Sequence, residues 1–318
     1  MMHRRRFLAA ALAFAALPGR AAFSVDGPAR VRPGAAKGAL LDVALAGGRL
    51  VAAGERGHVL LSDDRGKSWR QATEVPTRTT LTALHVADAM TLWAVGHGGV
   101  ILRSTDAGDR WQVVDGKADG PDVLLAIRIE PDGRGLAVGG FGVALATRNG
   151  GKTWKAAPLL PGEVGEKHLN RIAVTPVGTW LIAAEGGHVL RSADRGDTWT
   201  AVKTPYAGSL WSLLPLADGT VLAGGMRGNV VRSRDDGKSW TQHAIAEAGS
   251  FTAMAELPDR RAVLVGVDGT LVTAAAGAES FAFRRLDDRA TLTGVVPLST
   301  RELLVSSMNG PRVVTMEG

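Results

Sequence analysis

The 318-residue chain contains no cysteine and a single tyrosine, and aromatic residues make up only 5% of it. Without cysteine there is no disulfide framework, no thiolate metal site and no thiol nucleophile. Order must come from an apolar core instead, and hydrophobic residues supply 45% of the chain. Long apolar runs are missing too. Residues 7–17 (FLAAALAFAAL) form a run of eleven, short of the roughly 20 needed to span a bilayer. None of the seven histidines sits in an H-x-H or H-E-x-x-H spacing, so no metal and no cofactor are expected. Charge of one sign is also scarce once the N-terminus is set aside. The formal net charge is +6, but removing Arg4, Arg5, Arg6 and Arg20 leaves 33 basic against 31 acidic residues, a net of +2. No basic run remains, which argues against a nucleic-acid partner.

What is present begins with a leader. Residues 1–21 combine a basic start (HRRR), the eleven-residue apolar run and an A-x-A-like end at Gly19 and Ala21. This is the layout of a signal peptide. Arg4-Arg5-Arg6-Phe7-Leu8 fits the twin-arginine pattern R-R-x-F-L, with His3 where serine is usual. An ordinary secretory signal with an extra arginine is the alternative. Either route exports the mature chain, residues 22–318, to a bacterial periplasm, or to a thylakoid-like lumen in a photosynthetic host.

The dominant feature is an octapeptide repeated five times. The copies are SDDRGKSW (62–69), STDAGDRW (104–111), TRNGGKTW (147–154), SADRGDTW (192–199) and SRDDGKSW (233–240). Their central glycines, Gly66, Gly108, Gly151, Gly196 and Gly237, are spaced 42, 43, 45 and 41 residues apart. A fixed period of this size means stacked supersecondary units. Within a unit, apolar residues alternate or run in fours to sixes between Gly, Asp and Pro, which is strand-and-turn grammar. The second unit shows strands a (81–86), b (92–95), c (100–104) and d (111–114). Four antiparallel strands per forty-odd residues predict a β-propeller blade.

The octapeptide falls on the c–d hairpin. Asp64, Asp106, Asp194, Asp235 and the substitute Asn149 are expected to accept backbone N–H bonds and hold the turn. The fifth-position glycine provides a positive φ. Trp69, Trp111, Trp154, Trp199 and Trp240 begin strand d and cover the blade edge. The pattern resembles the Asp-box, or bacterial neuraminidase repeat, which implies an outer-rim structural role.

A sixth unit spans 251–283 with an eroded octapeptide retaining Thr273 and Gly277. A seventh spans 292–318 and supplies only strands a, b and c. Residues 22–31 precede the first strand a without a blade of their own. The expectation is an all-β, seven-bladed ring of four-stranded antiparallel blades, closed by that N-terminal segment pairing near 313–315, in one monomeric domain.

Ligand sites on such a ring gather at the b–c turns and d–a loops. The b–c turns repeat G-x-x-G, as in 54–57, 96–99, 139–142, 225–228 and 266–269. They recur in register and precede no helix, so they are hairpin glycines, not phosphate loops. The residues that vary on this frame are Arg56, His97, Phe141, Glu185, Arg227 and Asp268, joined by Arg78, Lys167, His168, Tyr206, Trp211 and Arg289 from the d–a loops. From these, Arg56, Arg78, His97, Phe141, Tyr206, Trp211 and Arg227 are the candidate partner-binding set, being of the residue types that anchor interfaces. No catalytic residue is assigned. Three features count against a sialidase-like site without closing that alternative: Tyr206 is the lone tyrosine, no arginine stands in the usual context before the first octapeptide, and the blades number seven.

Two complete units, LVAAGERGHVLLSDDRGKSW (50–69) and LWAVGHGGVILRSTDAGDRW (92–111), resemble blades of the photosystem II stability/assembly-factor propellers. The resemblance extends over the whole mature chain. It implies an exported, non-catalytic propeller that binds or helps assemble a membrane-protein complex. Arg56, Arg78 and Arg227 are the residues here that could belong to that family's basic binding patch. The competing reading is a carbohydrate-active propeller that binds or cleaves a glycan.

Overall fold

A computed structural model describes residues 27–114 and 123–316. The signal peptide (1–21) and the first part of the expected closing segment (22–26) lie outside the described residues. The rest is a seven-bladed propeller. Among the described residues, six blades are four-stranded antiparallel sheets in the order a-b-c-d, and the seventh has three strands. Blade 1 runs through Leu40–Ala46, Arg49–Gly54, Val59–Ser62 and Arg70–Gln71. The second unit's strands are Leu81–Val86, Leu92–Gly96, Ile101–Ser104 and Gln112–Val113, each end within one residue of the pattern-based reading. The inner strands of blades 3 to 7 are Leu124–Ile129, Leu169–Val174, Leu210–Pro215, Phe251–Glu256 and Leu292–Pro297.

The strands form because short β-branched and leucine-rich runs bury both faces. In strand b of blades 2 to 6 every residue is buried. Both faces are covered because each sheet packs against two neighbours. Apolar clusters fill each gap between successive blades, such as Val51, Leu61, Leu84, Leu102 and Trp111 between blades 1 and 2. The gap between blades 7 and 1 is filled in the same way by Leu40, Leu50, Leu60, Val296 and Leu304.

Each inner strand carries a β-bulge at its second residue, seen as a register shift between Leu81 and Ala83 or between Leu292 and Gly294. The bulge turns that side chain toward the next blade. Thr82 Oγ1 donates to Leu124 O at 2.5 Å, Asn170 Nδ2 to Leu210 O at 2.8 Å and Thr252 Oγ1 to Leu292 O at 2.6 Å. Thr293 Oγ1 donates to Leu40 O at 2.6 Å and joins blade 7 to blade 1 by the same device.

The described part of the expected closing segment does not make the pairing near 313–315. Among the described residues, Arg312–Thr315 is the outermost strand of blade 7. Residues 27–32 run beside blade 1 instead: Ala29 N–H donates to Val75 O at 2.8 Å and Arg32 N–H to Gln71 Oε1 at 2.6 Å. Among the described residues, blades 7 and 1 are joined by an interblade core and the same bulge bond.

The octapeptide turns behave as the pattern requires. In the first, Asp64 Oδ1 accepts from Ser62 Oγ at 2.8 Å and from Ser68 N–H at 2.9 Å, while Ser62 Oγ accepts from Gly66 N–H at 2.8 Å. Asn149 repeats the arrangement with Thr147 and Thr153. Positions four and five are both left-handed, as at Arg65 (φ 62°) and Gly66 (φ 87°). Glycine at position five has a second cause: a Cβ on Gly151 would collide with the Trp93 ring of the preceding blade. The tryptophans plug the gap to that preceding blade and do not lie across an edge. In the sixth unit the left-handed pair is Gly277 and Ala278. Its strand c ends at Ala274, paired with Ala262. The eroded octapeptide therefore starts at Ala274, one residue later than the sequence spacing implies.

Candidate functional site

Antiparallel order puts the b–c turns and the d–a loops on one face and the octapeptides on the other. Backbone bonds tie the first two together. The N–H of the second turn residue donates to the residue before the inner strand: Glu55 to Ala39 O at 3.0 Å, His97 to Thr80 O at 3.0 Å, Gly140 to Val123 O at 3.2 Å, Glu185 to His168 O at 3.1 Å, Val267 to Ser250 O at 3.0 Å and Met308 to Thr291 O at 3.2 Å. The fourth turn residue sits against the d–a loop so closely that a Cβ on Gly57, Gly142 or Gly187 would overlap the carbonyl of Thr77, Gly165 or Tyr206. The turn glycines are thus consumed by the fold.

The third turn residue is left-handed and forms the tip. Arg56 (φ 56°), Phe141 (φ 53°), Arg227 (φ 54°) and Asp268 (φ 58°) occupy it. Such a conformation strains a non-glycine residue and aims its side chain outward. Phe141 is 72% exposed. Its ring leans on His168, with centroids 4.6 Å apart and planes tilted by 57°. His168 is itself fixed: Glu185 Oε2 accepts from its backbone N–H at 3.1 Å and lies 2.9 Å from Nδ1. Burial opposes ionisation of Glu185, yet these bonds and Lys167 nearby hold its carboxyl below the usual range.

The other candidates are placed as follows. Arg227 is exposed and makes no ion pair among the described residues, while Arg56 reaches Glu55 only at 4.0 Å. Arg78 Nε donates to Pro28 O at 3.1 Å. His97 takes the second turn position, one residue before the tip, and is exposed. Tyr206 is half-buried, and its hydroxyl accepts from Met226 N–H at 3.2 Å and faces Met226 O at 3.4 Å. It thereby replaces the backbone acceptor that the other six blades use. Trp211 lies in strand Leu210–Pro215 at the bulge position, not in the loop.

Three groupings were not singled out from the sequence. Asp42, 5% exposed, accepts from Val43 and Leu84 N–H at 2.9 Å each and from Arg171 Nη1 at 3.3 Å, a bond across the ring from blade 4 to blade 1. His85 is buried, with Nε2 2.9 Å from Ile129 O. Its pKa is pulled down to about 4 by burial and by Arg128, with Arg171 adding to this against that hydrogen bond. Third, Arg30, Arg32, Arg56, His58 and Arg78 line a cavity of about 160 Å³. Among the described residues, no group of three His, Cys, Asp or Glu side chains could hold a metal ion.

The opposite face differs in charge. Its arginines pair across successive blades: Arg70 with Asp109 at 2.8 Å, Arg134 with Asp197 at 2.9 Å and Arg191 with Asp236 at 2.6 Å. Arg65 meets Glu302 at 3.4 Å across the closure.

No family model matches this chain, and neither does any curated protein. Solved structures share the fold. A YCF48 bound to a D1 peptide is 15% identical, with a TM-score of 0.72, covering 92% of this chain and 100% of that one. YCF48 from Cyanidioschyzon merolae is 16% identical, with a TM-score of 0.68, covering 91% and 98%. Virginiamycin B lyase from Staphylococcus aureus is 11% identical, with a TM-score of 0.74, covering 90% and 96%. At these identities the likeness carries the seven-bladed architecture and nothing finer.

Proposed function

We propose that this chain is an exported, non-catalytic propeller that binds a membrane-protein complex from the periplasmic side, through its b–c turn face. The observation that carries the reading is Phe141. A large ring 72% exposed to water, on a left-handed turn and braced by a tethered His168, gains nothing for folding. It is preorganised to be covered by a partner. Arg56 and Arg227 hold the equivalent tips of blades 1 and 5 and supply the other residue type that interface anchors favour. Support for a membrane-protein partner comes from the leader motif at Arg4–Leu8, from the likeness of the repeats to photosystem II assembly-factor propellers, and from a YCF48 of this fold having been solved with a D1 peptide. Tyr206, which sialidase-like chemistry would need as a nucleophile, has its hydroxyl engaged by Met226, which supports binding over catalysis.

A photo-cross-linking residue at position 141, used on native membranes solubilised in mild detergent, tests this. The expected product is a discrete adduct with an integral membrane protein, absent when the probe replaces Lys67 on the octapeptide face and lost on Arg56→Glu with Arg227→Glu. An adduct that survives the charge reversal, or forms equally from position 67, puts the partner elsewhere.

A further inference from the structure

The first residue of strand c follows the b–c turn directly, and where it is polar it is tied to the loops. His188 Nδ1 lies 3.2 Å from Glu185 O, Asn229 Nδ2 donates to Met226 O at 2.8 Å, and Thr270 Oγ1 accepts from Gly249 N–H at 2.8 Å. His58 occupies the same position in blade 1 and departs from the rule. It is 4% exposed, and among the described residues neither ring nitrogen has a hydrogen-bond partner. A buried polar group left unpaired costs about 1–3 kcal/mol, so the site is incomplete as it stands.

The imidazole lines the roughly 160 Å³ cavity together with Arg30, Arg32, Arg56 and Arg78. The N-terminal segment brings the first two, the b–c turn the third and the d–a loop the fourth. Their placement is fixed from outside: the Arg32 N–H and the Arg30 carbonyl both bond Gln71, and Arg78 is held on Pro28 O. Glu55 lies 4.0 Å from Arg56, with 38% of its side chain exposed. Four guanidinium groups exclude a cation. They offer more donors than the two oxygens of one carboxylate can accept, and a tetrahedral oxyanion offers four. The cavity holds about five water volumes, enough for such a group.

We propose that this cavity is a binding site for a phosphate-class oxyanion, with His58 giving a ring N–H at its floor and Arg30, Arg32, Arg56 and Arg78 closing over it. Burial, with Arg32 and Arg56 and against Glu55, keeps the free imidazole below its ordinary pKa, so it presents one N–H donor and one acceptor. The oxyanion is either free phosphate or the phosphomonoester headgroup of a lipid. This inference shares Arg56 with the partner reading above but rests on the buried His58, so the His58 variants distinguish its failure from that of the partner reading.

The test compares the mature chain with His58→Leu, His58→Asn and Arg32→Ala/Arg56→Ala. Inorganic phosphate, against chloride at matched ionic strength, should raise the melting temperature of the wild type in a saturable way. Each variant should bind about tenfold or more weakly, the loss of one hydrogen bond to a charged group. His58→Leu should melt higher than the wild type without phosphate, because it removes the unpaired imidazole. Sedimentation with phosphatidylcholine vesicles, with and without phosphatidic acid, separates the sources. Binding only to phosphatidic acid vesicles, lost in the variants, assigns the site to a lipid headgroup. Binding in solution assigns it to free phosphate. No response to either anion, or an equal response in wild type and all three variants, overturns the proposal.

Discussion

Removing the Trp111 indole should cost this propeller about 5 kcal/mol, and removing that of Trp69 about 2. Both occupy the last position of an octapeptide, so the pattern alone makes them equal. Their surroundings do not. Trp111 is 1% exposed, packs among Val51, Leu61 and Leu102, and donates from Nε1 to Gly108 O at 2.8 Å. Trp69 is half-buried at the margin of the blade 7/blade 1 core, with a longer bond of 3.2 Å to Gly66 O. Truncating a fully buried Trp or Phe costs about 3–5 kcal/mol, the upper end applying where surrounding strands cannot relax. Strand b of both flanking blades is locked on two sides here. A ring that keeps part of its surface in water loses roughly half as much. Against a total of about 5–15 kcal/mol, Trp111→Ala removes a third or more of the stability. At about 2–4 °C per kcal/mol, that lowers the melting temperature by about 10 °C or more, and Trp69→Ala lowers it by about 4–8 °C. Thermal melts followed by circular dichroism, with urea titrations to check for an unchanged slope, measure both. Equal shifts, or a larger one for Trp69, would refute the argument that burial in the preceding blade's gap sets the role of these residues.

The remaining predictions concern the ring itself. His85 has a folded pKa of about 4 against an ordinary 6.5, so the unfolded chain binds the proton first; stability is complete above pH 6.5 and falls by about 3 kcal/mol as pH drops to 4. His85→Gln, which keeps a donor for Ile129 O, should flatten that part of a pH–melting profile, and an unchanged slope would place the titration elsewhere. Thr293→Val should cost about 1 kcal/mol by stranding Leu40 O, matching Thr82→Val at an internal blade junction; a much larger effect at 293 would mean that closure is special after all.

Much of this was legible in the sequence because the repeat speaks seven times. The octapeptide identified the c–d turn, the turn glycines marked the b–c hairpins, and the alternation between them gave the strands. What stayed hidden concerns relations between blades. No pattern within one unit shows that Gly151 must clear the Trp93 ring of the previous blade, or that Thr82, Asn170, Thr252 and Thr293 reach into the next. The closing strand was inferred from a count of strands. Its described residues lie beside blade 1, and blades 7 and 1 share an interblade core that looks like any other stretch of leucine and valine. Trp211 was assigned to a loop because a bulge residue breaks the alternation by which strand starts are recognised. His58 was visible as one of two histidines in the same repeat position. Only the geometry shows that His188 is bonded to its turn and His58 is not.

The tip arginines Arg56 and Arg227 differ from the arginines of the octapeptide face, and that contrast supports the b–c face as the working surface. On the octapeptide face, Arg70, Arg134, Arg191 and Arg65 are spent on carboxylates of the adjoining blade. Such surface pairs add little stability each. On the b–c face the work of holding turn to loop is done by backbone N–H groups and by glycines that fit under a neighbouring carbonyl. The side chains of Arg56, Phe141 and Arg227 are not needed for that work, although Tyr206, Glu185 with His168, and Asp268 with Arg285 do bond within this face. Arg56, Phe141 and Arg227 can therefore change from blade to blade without a cost to the frame, and a face that varies on a fixed frame is where a propeller can acquire a partner.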